Sequence, residues 1–260
     1  MGRFHREVHE EQVEMSGGSR CCFSLLTLLA EVLLFGSVAL VVAWCLKYRG
    51  GFAWTEDPNL QFNLHPVLMV SGFIFFAGHA MLTYRQWRCC NHSTIKLVHT
   101  LYHIMAIPCI AVGLIAVFDF HNNKKPTPIP NLYSLHSWMG LVTVGLYGLQ
   151  VLPAFIVGFF SFLFLLCCDT ATASFRAALV PVHSSFGITT FFLAVATCLT
   201  GLTEKVLFTI RDTYSSMPDE GLVVNALGCT LVAALVVISV ITSQNVFRQS
   251  RAHGGIATEL

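Results

Sequence analysis

Apolar residues gather into six runs, roughly Phe23–Leu46, Leu64–Tyr84, Leu97–Phe118, Leu132–Pro153, His183–Thr203 and Leu222–Ser243. Each run is close to 20 residues long and nearly free of Asp, Glu, Lys and Arg, the length an α-helix needs to cross the hydrocarbon core of a bilayer. In lipid every backbone polar group must be satisfied internally, so only helices or closed barrels can span. The runs lack the two-residue alternation of barrel strands, which predicts an all-α membrane protein with six transmembrane helices. The first run is too long, and its flank too acidic (Glu7, Glu10, Glu11, Glu14), for a cleaved signal peptide, and it reads as a retained span. The expected organisation is an N-terminal tail 1–20, one membrane domain 21–243 and a C-terminal tail 244–260.

One stretch departs from this pattern. From Leu132 to Cys168 there are 37 residues without a charged side chain, more than one span requires. Pro153 offers a break, after which Phe155–Leu166 is expected to lie along the interface. Six spans put both tails on one side, and basic residues select that side. Arg3, Arg6, Arg20, Arg85, Arg88, Lys96, Arg176, Arg248 and Arg251 fall with the tails, against Lys47, Arg49, Lys124, Lys125, Lys205 and Arg211 opposite. The excess places both tails in the cytosol.

Composition agrees with burial in lipid. Hydrophobic residues make up 55% of the 260, charged residues only 11%, and the mean hydropathy is +0.67. A soluble domain carries roughly 25% charged residues, so a soluble globule is excluded. The formal net charge of +1 argues against a nucleic-acid binder, which needs a basic patch. Six of the ten cysteines form the adjacent pairs Cys21–Cys22, Cys89–Cys90 and Cys167–Cys168, all at the predicted cytosolic membrane edge, where S-acylation occurs. No C-x-x-C-H is present, so covalent haem attachment is excluded.

The chemistry concentrates in histidines. An ionisable residue inside a membrane is costly and marks function by default. His65 opens the second run, His99 the third, His136 lies early in the fourth and His183 opens the fifth. Successive spans are antiparallel, so His65 and His136 share the outer half while His99 and His183 share the inner half. Two imidazoles facing each other across a helix bundle are what a six-coordinate haem requires, and glycines at 72, 113, 140, 145, 148 and 187 would let a flat macrocycle approach the backbone. His79, 14 residues after His65 and near the same helix face, and His103, four residues after His99, are alternative inner ligands by spacing. The H-x-x-x-H of His99 and His103 is also compatible with a transported metal ion.

At these residues the sequence resembles the cytochrome b561 family of transmembrane ascorbate-dependent reductases. The likeness is carried by RGGFAW at 49–54, FNLHPVLMV at 62–70, LYSLHSW at 132–138, PVHSSFG at 181–187 and GLTEK at 201–205, and covers roughly 45–230. It implies six helices, a central four-helix bundle holding two non-covalent b haems, and a homodimer. It implies His65 with His136 as the ligands of the non-cytosolic haem and His99 with His183 as those of the cytosolic one, and does not require His79 or His103. It further implies electron transfer from cytosolic ascorbate to ferric chelate or monodehydroascorbate on the other side. The family's basic ascorbate-site residues fall on Arg85, Lys96 and Arg176, and a further basic position holds His92. On the acceptor side the family's positions fall on His121, with Phe73 and Tyr133 lining the same mouth.

Basic residues suit ascorbate, an anion at neutral pH. The rival from another class, a divalent-metal or proton transporter using the same histidines, would carry several intramembrane carboxylates, and Glu31 is the only one. A non-catalytic scaffold leaves the paired histidines unexplained. Neither tail carries a sorting signal; a lysosomal or late-endosomal membrane is expected ahead of the plasma membrane or a secretory vesicle.

Overall fold

Why the chain stays helical through so much of its length follows from the same backbone constraint, and where helices start follows from caps. In the computed structural model, residues 15–88, 90–164 and 169–247 are described, with backbone alone for 92, 153–164 and 169–177. The long helices are α1 (Gly17–Tyr48), α5 (His92–Asn123), α6 (Leu135–Phe164), α7 (Asp169–Thr209) and α9 (Asp219–Ser243). The second span is composite, with α2 (Pro58–Phe62) and α3 (Leu64–Met69), a π-helical segment Val70–Phe76, and α4 (Ala77–Gln86). A short α8 (Arg211–Tyr214) precedes α9, and a 3₁₀ turn Asn245–Phe247 follows it. Six helical stretches are long and apolar enough to cross a membrane, and no strand occurs among the described residues.

Caps set the entries. Ser16 accepts the Ser19 N–H at the start of α1. Asp57 caps α2, with Pro58 in the first turn. Asn91, the first residue of an Asn-His-Ser sequon, caps α5 by accepting the Thr94 N–H at 2.8 Å.

The stretch 132–168 corrects the sequence expectation. No break occurs at Pro153: α6 runs unbroken to Phe164, and α7 begins at Asp169 rather than near His183. Helices of 30 and 41 residues are about 45 and 60 Å long, so both project beyond a roughly 30 Å core. The apolar surplus is continuous helix as far as Phe164, and 165–168 lie outside the described residues.

Packing sorts the spans into pairs. α1 lies along α9, the second span along α5, and α6 along α7, while α5 and α6 scarcely approach each other. The core between them includes Leu34, Trp44, Ile74, Leu82, Leu227, Leu231 and Ile238, all buried. Gly72 and Gly113 serve the second contact: a Cβ on Gly72 would lie 2.9 Å from Ile110 Cγ1, and one on Gly113 3.0 Å from Met69 Cε. These two glycines pack helix on helix, whereas a Cβ on Gly145 or Gly148 of α6 would meet only open space.

The two ends of the bundle differ. The tail end, where α1 begins and α9 finishes, is tied by Arg85 Nη2 donating to the Thr242 carbonyl and Arg88 Nη2 donating to the Phe247 carbonyl at 2.7 Å. At the opposite, loop end, Glu220 is 8% exposed and accepts from Trp44 Nε1 and from Arg49 Nη2, each at 2.9 Å. Asn63 then donates to the Arg49 and Gly51 carbonyls, holding the RGG turn at positive φ. Cys21 and Cys22 are exposed on α1 at the tail end; Cys89, Cys167 and Cys168 lie outside the described residues.

Replacing Glu220 by Ala leaves the buried Trp44 indole N–H and the part-buried Arg49 guanidinium without their shared acceptor. It should cost about 1–3 kcal/mol, read as a lowered thermal midpoint in detergent, while exposed Lys47→Ala leaves that midpoint unchanged.

Candidate functional site

A buried neutral imidazole has one N–H to place and one lone pair to use. His65 Nδ1 lies 3.0 Å from the Gly113 carbonyl, His99 Nδ1 2.9 Å from the Ala80 carbonyl, and His136 Nδ1 2.9 Å from the Thr197 carbonyl. A carbonyl can only accept, so in each ring Nδ1 carries the hydrogen and Nε2 presents its lone pair. Histidines that bind metals are oriented in this way by their outer partners.

His183 uses a side chain instead. Its Nδ1 is 3.1 Å from the Gln150 amide, which also lies 2.6 Å from the His183 carbonyl. The amide nitrogen donates to that carbonyl, so this ring's Nδ1 faces a donor where the other three face carbonyls.

These bonds are reciprocal within the helix pairs. His65 of α3 donates to α5 and His99 of α5 donates to α4; His136 of α6 donates to α7, and His183 of α7 meets Gln150 of α6. Each pair is therefore clasped twice, and its histidines face the other pair. The His65 and His136 ring centroids are 6.0 Å apart, those of His99 and His183 6.1 Å. Two imidazoles set on opposite sides of one metal ion, each with a metal–nitrogen bond of about 2 Å, place their centroids roughly 6 Å apart. Both spacings fit a six-coordinate iron. Among the described residues no group of three or more His, Cys, Asp or Glu is gathered as for a metal ion.

The structure separates the two alternative histidines from these pairs. A π segment turns less per residue than an α-helix, and seven such residues between His65 and His79 rotate the later turns of the span by roughly 90°. His79 thus leaves the face of His65 and meets Glu31 of α1, Nε2 to Oε2 at 3.0 Å. His103 keeps the face of His99, ring centroids 4.7 Å apart, but its Nδ1 is engaged by the Tyr147 hydroxyl at 2.8 Å.

The other sequence-derived residues fall into three groups. Lys96 is exposed one turn before His99 on α5; the side chain of Arg176, two turns before His183 on α7, and that of His92 lie outside the described residues. Arg85 sits at the same end but binds the Thr242 carbonyl of α9. At the loop end, His121 closes α5 with its ring against Phe120, and Tyr133 is 55% exposed. Partial burial and the nearby Glu204 carboxylate raise the Tyr133 phenol above its ordinary range, keeping it a hydrogen-bond donor at neutral pH. Phe73 is not at that mouth. It is 5% exposed inside the π segment, and its ring meets Tyr147 edge-on at 5.2 Å.

Sequence reasoning passed over Gln150, Tyr147 and Gly201. Gln150 carried a signal, as a lone amide in the apolar run LYGLQVLP. Gly201 carried less: a Cβ there would lie 2.7 Å from His136 Cε1 and 2.9 Å from its Nδ1, which only the folded contact reveals.

Residues 64–209 match the eukaryotic cytochrome b561 family. The chain is 45% identical over 194 residues to the transmembrane ascorbate-dependent reductase of Homo sapiens, covering 75% of this chain and 72% of that one. Against its Mus musculus counterpart identity is 43% over 207 residues, 80% and 78% of the two chains. Against the plasma membrane ascorbate-dependent reductase of Xenopus tropicalis it is 41% over 211 residues, 79% and 70%.

Gly201→Ala should push the His136 ring off its axis. The expected result is a loss of b-type absorbance per protein matching that of His136→Ala; pyridine haemochrome assay of the purified variants measures it.

Proposed function

The chain belongs to the eukaryotic cytochrome b561 family, and from that premise we propose that it is an ascorbate-dependent transmembrane reductase built on two non-covalent b haems. The observation that carries this is the pair of facing imidazoles at 6.0 and 6.1 Å, one pair in each half of the bundle. His65 and His136 would hold the haem at the loop end, His99 and His183 that at the tail end. Bound there, the haems supply one-electron chemistry between ascorbate on one side of the membrane and an acceptor on the other.

The protein's own part is orientation, charge and exclusion of water. Reciprocal bonds to Gly113, Ala80, Thr197 and Gln150 fix all four rings. Lys96 lies in the second turn of α5 and Arg176 about two turns into α7, toward the tail end, which the basic-residue balance assigns to the cytosol. Their charge suits the ascorbate anion. Arg85, held by α9, would contribute field more than contact. At the loop end His121 and Tyr133 would meet the acceptor, a ferric chelate or monodehydroascorbate.

A homodimer in the bilayer completes the reading, in accord with the exposed apolar sides of the spans. Of these three relatives, one is titled for the plasma membrane and none for the lysosome. A plasma-membrane setting therefore has the better support, ahead of the lysosomal placement expected from sequence.

His99→Ala should lose about half the haem and all reduction by ascorbate, whereas His103→Ala keeps both haems. Loss of haem in His103→Ala alone would reverse the inner pairing. In oriented proteoliposomes with ascorbate only at the tail end, ferric chelate enclosed at the loop end should be reduced. Lys96→Ala or Arg176→Ala should raise the ascorbate concentration required by about threefold to tenfold, with unchanged haem. Reduction that needs both reactants on one face would refute the transmembrane route.

A further inference from the structure

Glu31 stands in the middle of an apolar run, where an unpaired carboxylate is costly. Its Oε2 is 3.0 Å from His79 Nε2, and its Oε1 accepts from the Gln86 side-chain amide at 2.8 Å. On the other side of the ring, His79 Nδ1 lies 2.7 Å from the Phe75 carbonyl. That carbonyl can only accept, so Nδ1 carries a hydrogen. A single proton then lies between Nε2 and Oε2. Either an imidazolium faces a carboxylate, or a neutral ring faces a carboxylic acid. Both arrangements are neutral overall, which is why the pair tolerates the surrounding hydrocarbon, with the His79 side chain 7% exposed and that of Glu31 32% exposed.

Its placement ties it to the tail-end histidines. Ala80, next to His79, supplies the carbonyl that orients His99. Tyr102, three residues after His99 on α5, stacks on the His79 ring at 5.3 Å. Gln86 is the last residue of α4, so one hydrogen bond connects the carboxylate to the tail end. The groups facing the pair are the Tyr102 phenol from α5, the Gln86 amide from α4, and the apolar rings of Phe35 and Phe75. Arg85, beside Gln86, turns to Thr242 of α9. A pin between α1 and α4 needs only one hydrogen bond. Two titratable groups sharing one proton can also take a second, on a free lone pair of the carboxylate.

We infer that Glu31 and His79 form a proton-binding site which takes up one proton from the tail-end side when the His99–His183 site gains an electron, and releases it when that electron leaves. The inference rests on the two-haem reductase proposed for this chain. The electron adds one negative charge beside the pair. The proton converts imidazolium and carboxylate to imidazolium and carboxylic acid, adding one positive charge, and no other bond is made or broken. Compensation matters here because a charge changed in a low-dielectric interior is poorly screened by water.

The test uses the full haem-loaded chain in nanodiscs, titrated spectroelectrochemically between about pH 5.5 and 8.5. In the wild type, one haem midpoint should fall as pH rises, because its reduced form holds the extra proton. In Glu31→Gln that slope should shrink by about twofold or more, with both haems retained. A pH-indicator dye in weakly buffered medium should show proton uptake per electron falling by the same factor. Should Glu31→Gln bind less haem, His79→Gln carries the comparison. Wild-type midpoints independent of pH, or a slope unchanged in the variant, would overturn the inference alone. A preparation with no b-type band reducible by ascorbate would overturn the functional reading and this inference together.

Discussion

An imidazole inside a bilayer must surrender one N–H to a fixed acceptor before its other nitrogen can be aimed at anything, and the bundle is arranged around that requirement. Gly113, Ala80 and Thr197 supply carbonyls from neighbouring helices, and Gln150 supplies an amide. Each partner belongs to the helix packed against the histidine's own, so helix pairing and ring orientation are one interaction. Two clasped pairs then oppose each other across the slot between α5 and α6, and the facing distances result. Gly201 shows how little slack remains, because a single methyl there would occupy the place of the His136 ring.

The π segment Val70–Phe76 is the second determinant. Extra residues per turn would be a defect in a helix that only had to span. Here they turn the tail-end half of the second span toward α1, so that one helix serves two directions: His65 toward α6, and His79 toward Glu31. They also bury Phe73 against Tyr147, whose hydroxyl engages His103. The centre of the bundle is therefore filled with aromatic and hydrogen-bonded side chains, and one of them, His103, packs its ring 4.7 Å from that of His99.

Apart from the Glu31–His79 pair, the charged groups described here work at the two ends, for different purposes. At the loop end the Glu220 carboxylate gathers Trp44 and Arg49 and fixes the RGG turn, which is structural. At the tail end Arg85 and Arg88 hold the exit of α9 through the Thr242 and Phe247 carbonyls, while Lys96 stays exposed on α5. A basic residue assigned to a substrate by family position can thus be occupied by the backbone of another span. Arg85 is the instance here, and Lys96 is not.

Sequence alone determined the class and the six spans, because hydropathy over about 20 residues is a one-dimensional quantity. By spacing it left His79 and His103 open beside His65, His99, His136 and His183, and only the family resemblance chose among them. It also marked Glu31 as anomalous without saying what it meets. It misjudged the length of α6 and the start of α7, since a proline in an otherwise apolar run shows a site of weakness and not whether the helix continues through it. The direction of His79 was beyond it as well, because counting residues at a fixed helical period cannot register a seven-residue change of winding. Which nitrogen of each histidine is free, why Gly201 must lack a side chain, and which carboxylate meets which ring were decided only in three dimensions. Those are contacts between spans far apart in the chain, and no local pattern encodes the partner that a side chain will find across a helix interface.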